Sequence, residues 1–242
     1  MSLPDLQNVI ASLVRGAGGC VPDGALSPAE RDYFSALQED PGFRFTLNVQ
    51  KPWRAGRAAK AAFLTLSVLP AELRQLFLDE WISLGGGTQS FTGAESGAFL
   101  KFIRERLPDP SHERTACDLE LAALRANEGA RQFEWPDPSE LDARPCLLKR
   151  GQHGALVHFH GHPDQVIRAL LQHNPLPVIP NAAAVLFGPG LDSLHRSASR
   201  SEVILYERLT DPSPAADLLS EGFHREVIEG LLLGGVLEYA RR

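Results

Sequence analysis

Hydrophobic residues recur at helical spacing through most of the first 130 residues. The clearest start signal is Ser27-Pro28, a serine N-cap followed by proline at the first helical position, and it predicts a helix to about Gln38. The segment 43–49 alternates apolar and polar residues and alone predicts a strand, although a helical domain could absorb it as helix. Further helices are predicted over residues 57–68, 70–84, 92–106 and 112–127.

The pattern changes after residue 133. Residues 134–145 are rich in proline and acidic residues, a composition typical of a linker. Short strands are then predicted over residues 146–149, 155–160 and 182–187, the first two as a hairpin, with a helix over residues 163–173 before the third.

The last forty residues predict a helix capped by Ser201, a short helix starting at Ser213, a helix over residues 223–233 and a strand over residues 236–239. This order is the pattern of a winged helix. The sequence therefore predicts an α+β fold in three parts. These are a helical partner-docking domain (1–133), a linker (134–145) and a winged-helix-like domain with a small β-sheet (146–242).

Composition narrows the class of protein. The chain has 242 residues, 43% of them hydrophobic, and a formal net charge of −6, so it can bury a core and a nucleic-acid partner is not favoured. No apolar run approaches the roughly 20 residues that cross a bilayer, and the N-terminus lacks the features of a secretion signal. We therefore expect a cytoplasmic protein without a membrane partner. The three cysteines are far apart and predict neither a disulfide framework nor a catalytic role.

The histidine-rich strand is the first candidate for chemistry. Alternation places His158 and His160 on one face of the strand, and histidine is a common metal ligand. A metal site needs a third ligand, and neither a matching acidic spacing nor an HExxH motif is present. Two polar residues on a wet sheet face are the better interpretation, so no metal and no cofactor is expected in this chain. A metal-dependent enzyme remains the weakest alternative.

Basic residues recur every three positions at Lys51, Arg54, Arg57 and Lys60, with Trp53 between them. The stripe could be a solvated helix face. It could also dock an anionic or aromatic partner through charge and cation–π contacts, and a protein partner fits an acidic chain better than nucleic acid.

The winged-helix pattern admits two functions. The first is DNA binding by a transcription regulator, which the charges oppose: residues 145–242 hold ten acidic and nine basic residues, and the third helix with its approach has one basic residue, Arg225. The second is capture of an extended peptide, which can add to an exposed strand edge beside an apolar helix. Peptide capture is favoured, and DNA-binding regulation is the alternative.

Several segments also carry a family resemblance. The three predicted strands, followed by helices ending in IEGLLLGGVLEY, resemble the peptide-recognition element of ribosomal peptide natural-product pathways. A narrower resemblance is to the partner subunits of TIM-barrel multinuclear iron oxidases in methanobactin and thiaglutamate biosynthesis. It is carried by VHFHGHPDQVIRALLQHNPLP, by TDPSPAADLLSEGFHREVIEGLLLGGVLEY and by FLKFIRERLPDPSHERTACDLELAALRANEGA.

The resemblance implies a division of labour. The barrel subunit would hold the iron and oxidise a cysteine of a precursor peptide. This chain would bind the leader of that peptide, form a heterodimer with the oxidase, and catalyse nothing itself. No iron or other cofactor is then expected in this chain, and no nucleic acid is among its expected partners.

On this hypothesis the peptide adds to a strand edge and meets the third helix of the winged helix. The expected peptide-binding residues are Ala184, Val185, Leu186, Phe187, His224, Val227, Ile228 and Leu231. The expected partner-binding residues are Lys51, Trp53, Arg54 and Arg57. The apolar members of the first set could instead be plain core, and for Ile228 and Leu231 core is the favoured interpretation.

Overall fold

The α+β class predicted from the sequence is confirmed. The structure, a computed structural model, describes residues 6, 7, 9, 10, 13, 26–87, 93–142 and 146–240. Helices come first, and two small antiparallel sheets follow among further helices. Contacts divide the chain into two units, residues 1–105 and residues 106–242. No helix in the described part is long and apolar enough to cross a membrane.

The described elements of the first unit are helical. They are α1 (Pro28–Glu39), α2 (Pro41–Ala61), α3 (Phe63–Val68), α4 (Ala71–Ser83) and α5 (Gly93–Arg104). The predicted start of α1 is confirmed: Ser27 forms a capping box with Glu30. In the core, the Trp81 ring packs 5.4 Å from Phe99 and 5.3 Å from Phe102, measured between ring centroids.

The strand predicted over residues 43–49 is wrong, because this segment lies inside α2. Asp40 starts that helix by accepting a hydrogen bond from the Phe43 amide at 2.8 Å. The apolar residues divide between two faces: Phe43 is half-buried, whereas Phe45 and Val49 are 69% and 53% exposed. The alternating pattern that resembles a strand therefore comes from two apolar stripes of one helix, one facing the protein and one facing solvent.

The second unit contains both sheets. Its elements are α6 (His112–Ala130), a 3-10 turn (Pro138–Asp142), β1 (Leu147–Arg150), β2 (Ala155–Phe159), α7 (Pro163–Leu171), β3 (Ala183–Phe187), β4 (His195–Ser197), α8 (Arg200–Arg208), β5 (Ser213–Pro214), α9 (Ala215–Ser220), α10 (Arg225–Leu233) and β6 (Leu237–Tyr239). Helix α6 belongs to this unit because it packs against β2, where the Thr115 hydroxyl lies 3.3 Å from the His158 carbonyl. The division therefore falls before α6, whereas the sequence analysis placed it after residue 133.

The two sheets have the strand orders β5-β1-β6 and β2-β3-β4. The predicted β1–β2 hairpin is wrong: β1 pairs with β5 and β6, and β2 pairs with β3. The turn between β1 and β2 packs onto the backbone before β6 instead. A Cβ atom at Gly151 would lie 2.5 Å from the Gly235 carbonyl oxygen, and one at Gly154 would lie 2.6 Å from that of Val236. Only glycine permits so close an approach.

The C-terminal helices and strands follow one another in the order α8, β5, α9, α10 and β6, and they pack around one apolar core. Ser199, rather than Ser201, caps α8, and Glu202 completes the capping box. The largest fully buried members of the core include Leu148, Leu186, Leu205, Leu209, Leu218, Ile228 and Leu231.

The described part of the predicted linker is built into the second unit. Leu141 is 7% exposed and belongs to the core, and Asp142 forms an ion pair with Arg225 at 2.8 Å. The Tyr239 hydroxyl donates a hydrogen bond to the Asp137 carbonyl at 2.9 Å. Residues 143–145 lie outside the described residues, as do Cys20 and Thr92, the first residue of the helix predicted over 92–106.

Candidate peptide-binding site

The strand predicted to offer an open edge, β3, is the central strand of its sheet. Val185 pairs with Val157 on one side and with Ser197 on the other. The expectation of a free edge at residues 184–187 is therefore wrong, because the chain itself occupies both sides of β3. Just outside β4, the Ala198 amide donates to the Ala184 carbonyl in β3, and the Leu194 carbonyl accepts from the Gly188 amide, which directly follows β3.

The outer edge of β2 is also covered. Backbone groups alternate between the two sides of an antiparallel strand, so those of His158 and His160 point away from β3. The His158 carbonyl accepts from the Thr115 hydroxyl, and the His160 carbonyl accepts from the Ile179 amide at 2.8 Å. A peptide strand cannot add there without displacing these contacts.

Most of the predicted peptide-binding side chains are core. Val185, Leu186, Phe187, Ile228 and Leu231 are each at most 6% exposed. Ile228 and Leu231 are core residues, which is the interpretation that the sequence favours for them. Of the remaining three, Ala184 and Val227 are half-buried and His224 is exposed.

Besides β2, the strands at the outside of their sheets are β4, β5 and β6. Strand β5 has only two residues, Ser213 and Pro214, and proline has no amide hydrogen to donate. At β4, His195 and Ser197 are exposed, but the Arg196 guanidinium donates to the Ser197 carbonyl at 3.2 Å and covers part of that edge. At β6, the Gly151 amide donates to the Val236 carbonyl and the Ala240 amide donates to the Leu147 carbonyl. Alternation then turns the backbone groups of Leu237 and Tyr239 away from β1. Within the described residues, no backbone hydrogen bond occupies this outer side of β6.

A groove of about 770 Å³ runs along β6. Its lining includes all three residues of β6 and the segment 132–137. Phe133 and Trp135 contact each other edge to face, with ring centroids 5.3 Å apart, and Trp135 is 66% exposed. The groove therefore combines unused backbone hydrogen-bonding groups with an exposed aromatic wall.

The groove carries more negative than positive charge. Its acidic lining residues are Glu134, Asp137, Glu140 and Glu238, and its lysine is Lys149. The Lys149 ammonium already pairs with Glu238 at 2.8 Å. Burial, followed by the neighbouring Cys146 thiol and carboxylates, raises the pKa of Tyr239 to about 12, so its hydroxyl remains a hydrogen-bond donor at neutral pH.

Sequence reasoning missed this groove because residues 134–145 were interpreted as a linker. Phe133 lies just before that segment, and Trp135 is its second residue. Tryptophan is enriched at binding interfaces, so Trp135 is the signal in the sequence that could have indicated the groove.

The histidines are held by the protein itself. His158 lies 3.2 Å from Glu207, and the buried His160 ring accepts from the Asn181 amide at 3.3 Å through Nδ1. Burial, and then the neighbouring His112, lowers the pKa of His160. Among the described residues there is no group of three histidine, cysteine or acidic side chains able to hold a metal ion.

The exposed face of α10 offers no net positive charge. The Arg225 guanidinium bonds to Asp142 at 2.8 Å and to Glu229 at 2.6 Å. These bonds, the one to Asp142 first, raise the pKa of Arg225 and lower that of Asp142. Glu226 lies in the first turn of the same helix. A DNA phosphate would meet carboxylates and an arginine that is already engaged.

The four predicted partner-binding residues do not form one surface. Arg54 is buried, and its guanidinium donates to the carbonyls of Ile82 at 3.0 Å and Gly86 at 2.7 Å. Placing Arg54 in an exposed stripe is therefore wrong. Arg57 lies over the Trp53 ring at 4.8 Å and pairs with Glu95, whereas Lys51 is exposed. At 100° per residue, Lys51 and Trp53 point to nearly opposite sides of α2.

Comparison with known protein families and with curated proteins finds no match to this sequence. The resemblance to partner subunits of iron oxidases thus stays a prediction from the sequence.

Proposed function

We propose that this chain is a cytoplasmic, non-catalytic subunit that binds the leader of a ribosomally made precursor peptide. In this proposal it presents the C-terminal cysteine of that peptide to a partner TIM-barrel iron oxidase. The identity of the partner comes from the sequence resemblance. Binding of an extended peptide is supported independently by the second unit.

The supporting observation is the outer edge of β6 beside the 770 Å³ groove. An extended peptide can use the backbone groups of Leu237 and Tyr239 as a ladder, because those groups point away from β1. Trp135 supplies an apolar surface for a peptide side chain at the same place. Backbone bonds would give affinity and the aromatic wall would give preference for an apolar residue.

Charge defines the peptide further. Glu134, Asp137 and Glu140 surround a groove whose lysine is already paired with Glu238. A leader segment with lysine or arginine residues near its apolar anchor fits this surface better than an acidic one. Because these carboxylates are exposed, salt should weaken the preference.

The alternative, a DNA-binding regulator, is opposed by α10. In a winged helix that helix would enter the major groove, yet here Arg225 is tied to Asp142 and Glu229. No feature of the described residues favours DNA over a peptide at this surface.

The partner half of the proposal is tested by co-expressing the chain with each product encoded beside its gene, followed by size exclusion chromatography. The expected result is a stable complex with an iron-containing neighbour. A chain that elutes alone beside every neighbouring product would contradict the heterodimer.

The peptide half is tested at one backbone amide. Tyr239→Pro removes the side chain and the outward N–H, whereas Tyr239→Ala removes the side chain alone, so the pair isolates the hydrogen bond. Fluorescence anisotropy with synthetic leader peptides from adjacent short cysteine-containing reading frames should show binding at least about tenfold weaker in the proline variant than in the alanine variant. Equal affinities in the two variants would rule out strand addition at β6.

A further inference from the structure

Between Gly42 and Gly56 the outward face of α2 is exposed over four turns and has no charged residue of its own, although the Arg57 guanidinium lies over the Trp53 ring near one end. Phe45, Val49 and Trp53 follow one another at four-residue spacing and are 69%, 53% and 52% exposed. The exposed residues along this face are Gly42, Phe45, Thr46, Val49, Pro52, Trp53 and Gly56. An uncharged stripe with two aromatic residues on the solvent side of a helix is typical of a contact surface.

The stripe is symmetric about Val49. Phe45 and Trp53 lie four residues to either side, and Gly42 and Gly56 lie seven residues to either side. When two copies of such a helix pack antiparallel about a twofold axis at Val49, each residue meets its counterpart. Phe45 then contacts Trp53 of the other copy, and Gly42 lies opposite Gly56. A Cβ atom at Gly56 would have no neighbour within 4 Å, so the helices can approach closely there.

The charges at the ends of α2 suit the same arrangement. Glu39 and Asp40 are exposed just before the helix, and Lys60 lies in its last turn. Antiparallel pairing places Lys60 of one copy beside Glu39 and Asp40 of the other, twice. The two helix dipoles also oppose each other, which is the favourable alignment.

We infer that α2 is a homodimer interface, in which the face of Phe45, Val49 and Trp53 packs against the same face of a second copy. The contact is isologous, since one surface patch meets itself across a twofold axis. Helix α2 has 21 residues and is about 31 Å long, so a single helix pair gives a small interface of the weak, transient class. This interface goes beyond the proposed function, because peptide binding along β6 does not require it.

The test is sedimentation velocity of the full chain from about 1 to 200 μM. We expect the fraction of dimer to rise with concentration. Val49→Glu places two carboxylates together at the twofold axis and should weaken association at least about thirtyfold. The matched control is Leu76→Glu on α4, which is 55% exposed and adds the same charge away from the stripe. Circular dichroism of all three proteins verifies that the helices form.

Three outcomes would overturn the inference. The first is a monomer at every concentration, and the second is a dimer that Val49→Glu leaves intact. The third is a monomer whose complex with a neighbouring gene product is lost in Val49→Glu, which would assign the stripe to that partner.

A cysteine at position 49 provides an independent check, because residues on a twofold axis form an intermolecular disulfide readily. Under mild oxidation Val49→Cys should yield covalent dimer well above the wild-type level, and Leu76→Cys should not.

Discussion

Strands β3 and β6 differ in what surrounds them. Strand β3 reads AAVLF, has a neighbour on each side, and buries Val185, Leu186 and Phe187. Strand β6 reads LEY, has one neighbour, and contributes all three of its residues to the lining of the groove. A continuous apolar run is typical of a strand enclosed on all sides, whereas a strand interrupted by charge is typical of an edge. The rule holds for β3 and β6 but not for β1, which reads LLKR and still lies between β5 and β6.

The largest expected effect concerns stability and tests this difference directly. The Val185 amide faces β2, so Val185→Pro should leave the Val157 carbonyl without its partner and lower the free energy of unfolding by about 1–3 kcal/mol more than Val185→Ala does. At β6 the same proline–alanine difference, measured with Tyr239→Pro and Tyr239→Ala, should stay under about 1 kcal/mol. Urea unfolding of the four variants provides the measurement. Equal differences at the two sites would mean that β6 is as enclosed as β3.

A smaller effect concerns how the free energy of unfolding depends on pH through His160, which directly follows β2. His160 has a pKa below the usual value of about 6.5, because of burial and then His112, and its neutral ring accepts the Asn181 amide. The unfolded chain therefore takes up the proton first, and the free energy of unfolding should fall as the pH drops below about 6.5 towards the folded pKa. His158 acts in the same direction as His112, whereas Asp109 and Asp118 act against it.

The variant for this prediction is His160→Asn, which keeps an acceptor near the Asn181 amide but does not titrate. Its unfolding midpoint should depend less on pH between 5 and 7 than that of the wild type. His173→Asn is the control, since His173 is exposed. Should both variants keep the full acid sensitivity, the buried His160 is not its source.

The smallest effect concerns the charge of the groove. Replacing Glu134 and Glu140 together by glutamine should weaken binding of a lysine-containing leader peptide about two- to fivefold, with a shallower dependence on salt. Glu226→Gln on α10, outside the groove lining, should leave affinity unchanged. Anisotropy titrations at about 50 and 300 mM salt compare them. A gain in affinity for the double variant would mean that the leader is not basic at this place.

Most helices could be predicted from signals that lie close together in the sequence. The cap at Ser27 acts within a few residues, and most predicted helices appear close to their expected ends. The helix predicted over residues 57–68 is wrong, because α2 extends from Pro41 to Ala61 and a separate helix, α3, begins at Phe63. The segment 43–49 was mistaken for a strand because its two apolar stripes alternate, and only the fold decides which stripe is buried.

Pairing and edges could not be predicted, because they depend on residues far apart in sequence. The partners of β1 lie in β5 and β6, and β3 is enclosed by β4, a three-residue strand too short to be recognised. The candidate groove depends on the same long-range contacts. The α+β class needed only the order of the elements.

The pairing of β1 with β6 also constrains the order in which the second unit can form. Leu148 lies opposite Tyr239, about ninety residues further along the chain, and β5 is the other neighbour of β1. While the protein is being synthesised, β1 leaves the ribosome long before either neighbour exists. This sheet, and with it the β6 groove, should therefore be completed late in folding, as expected where distant segments must meet.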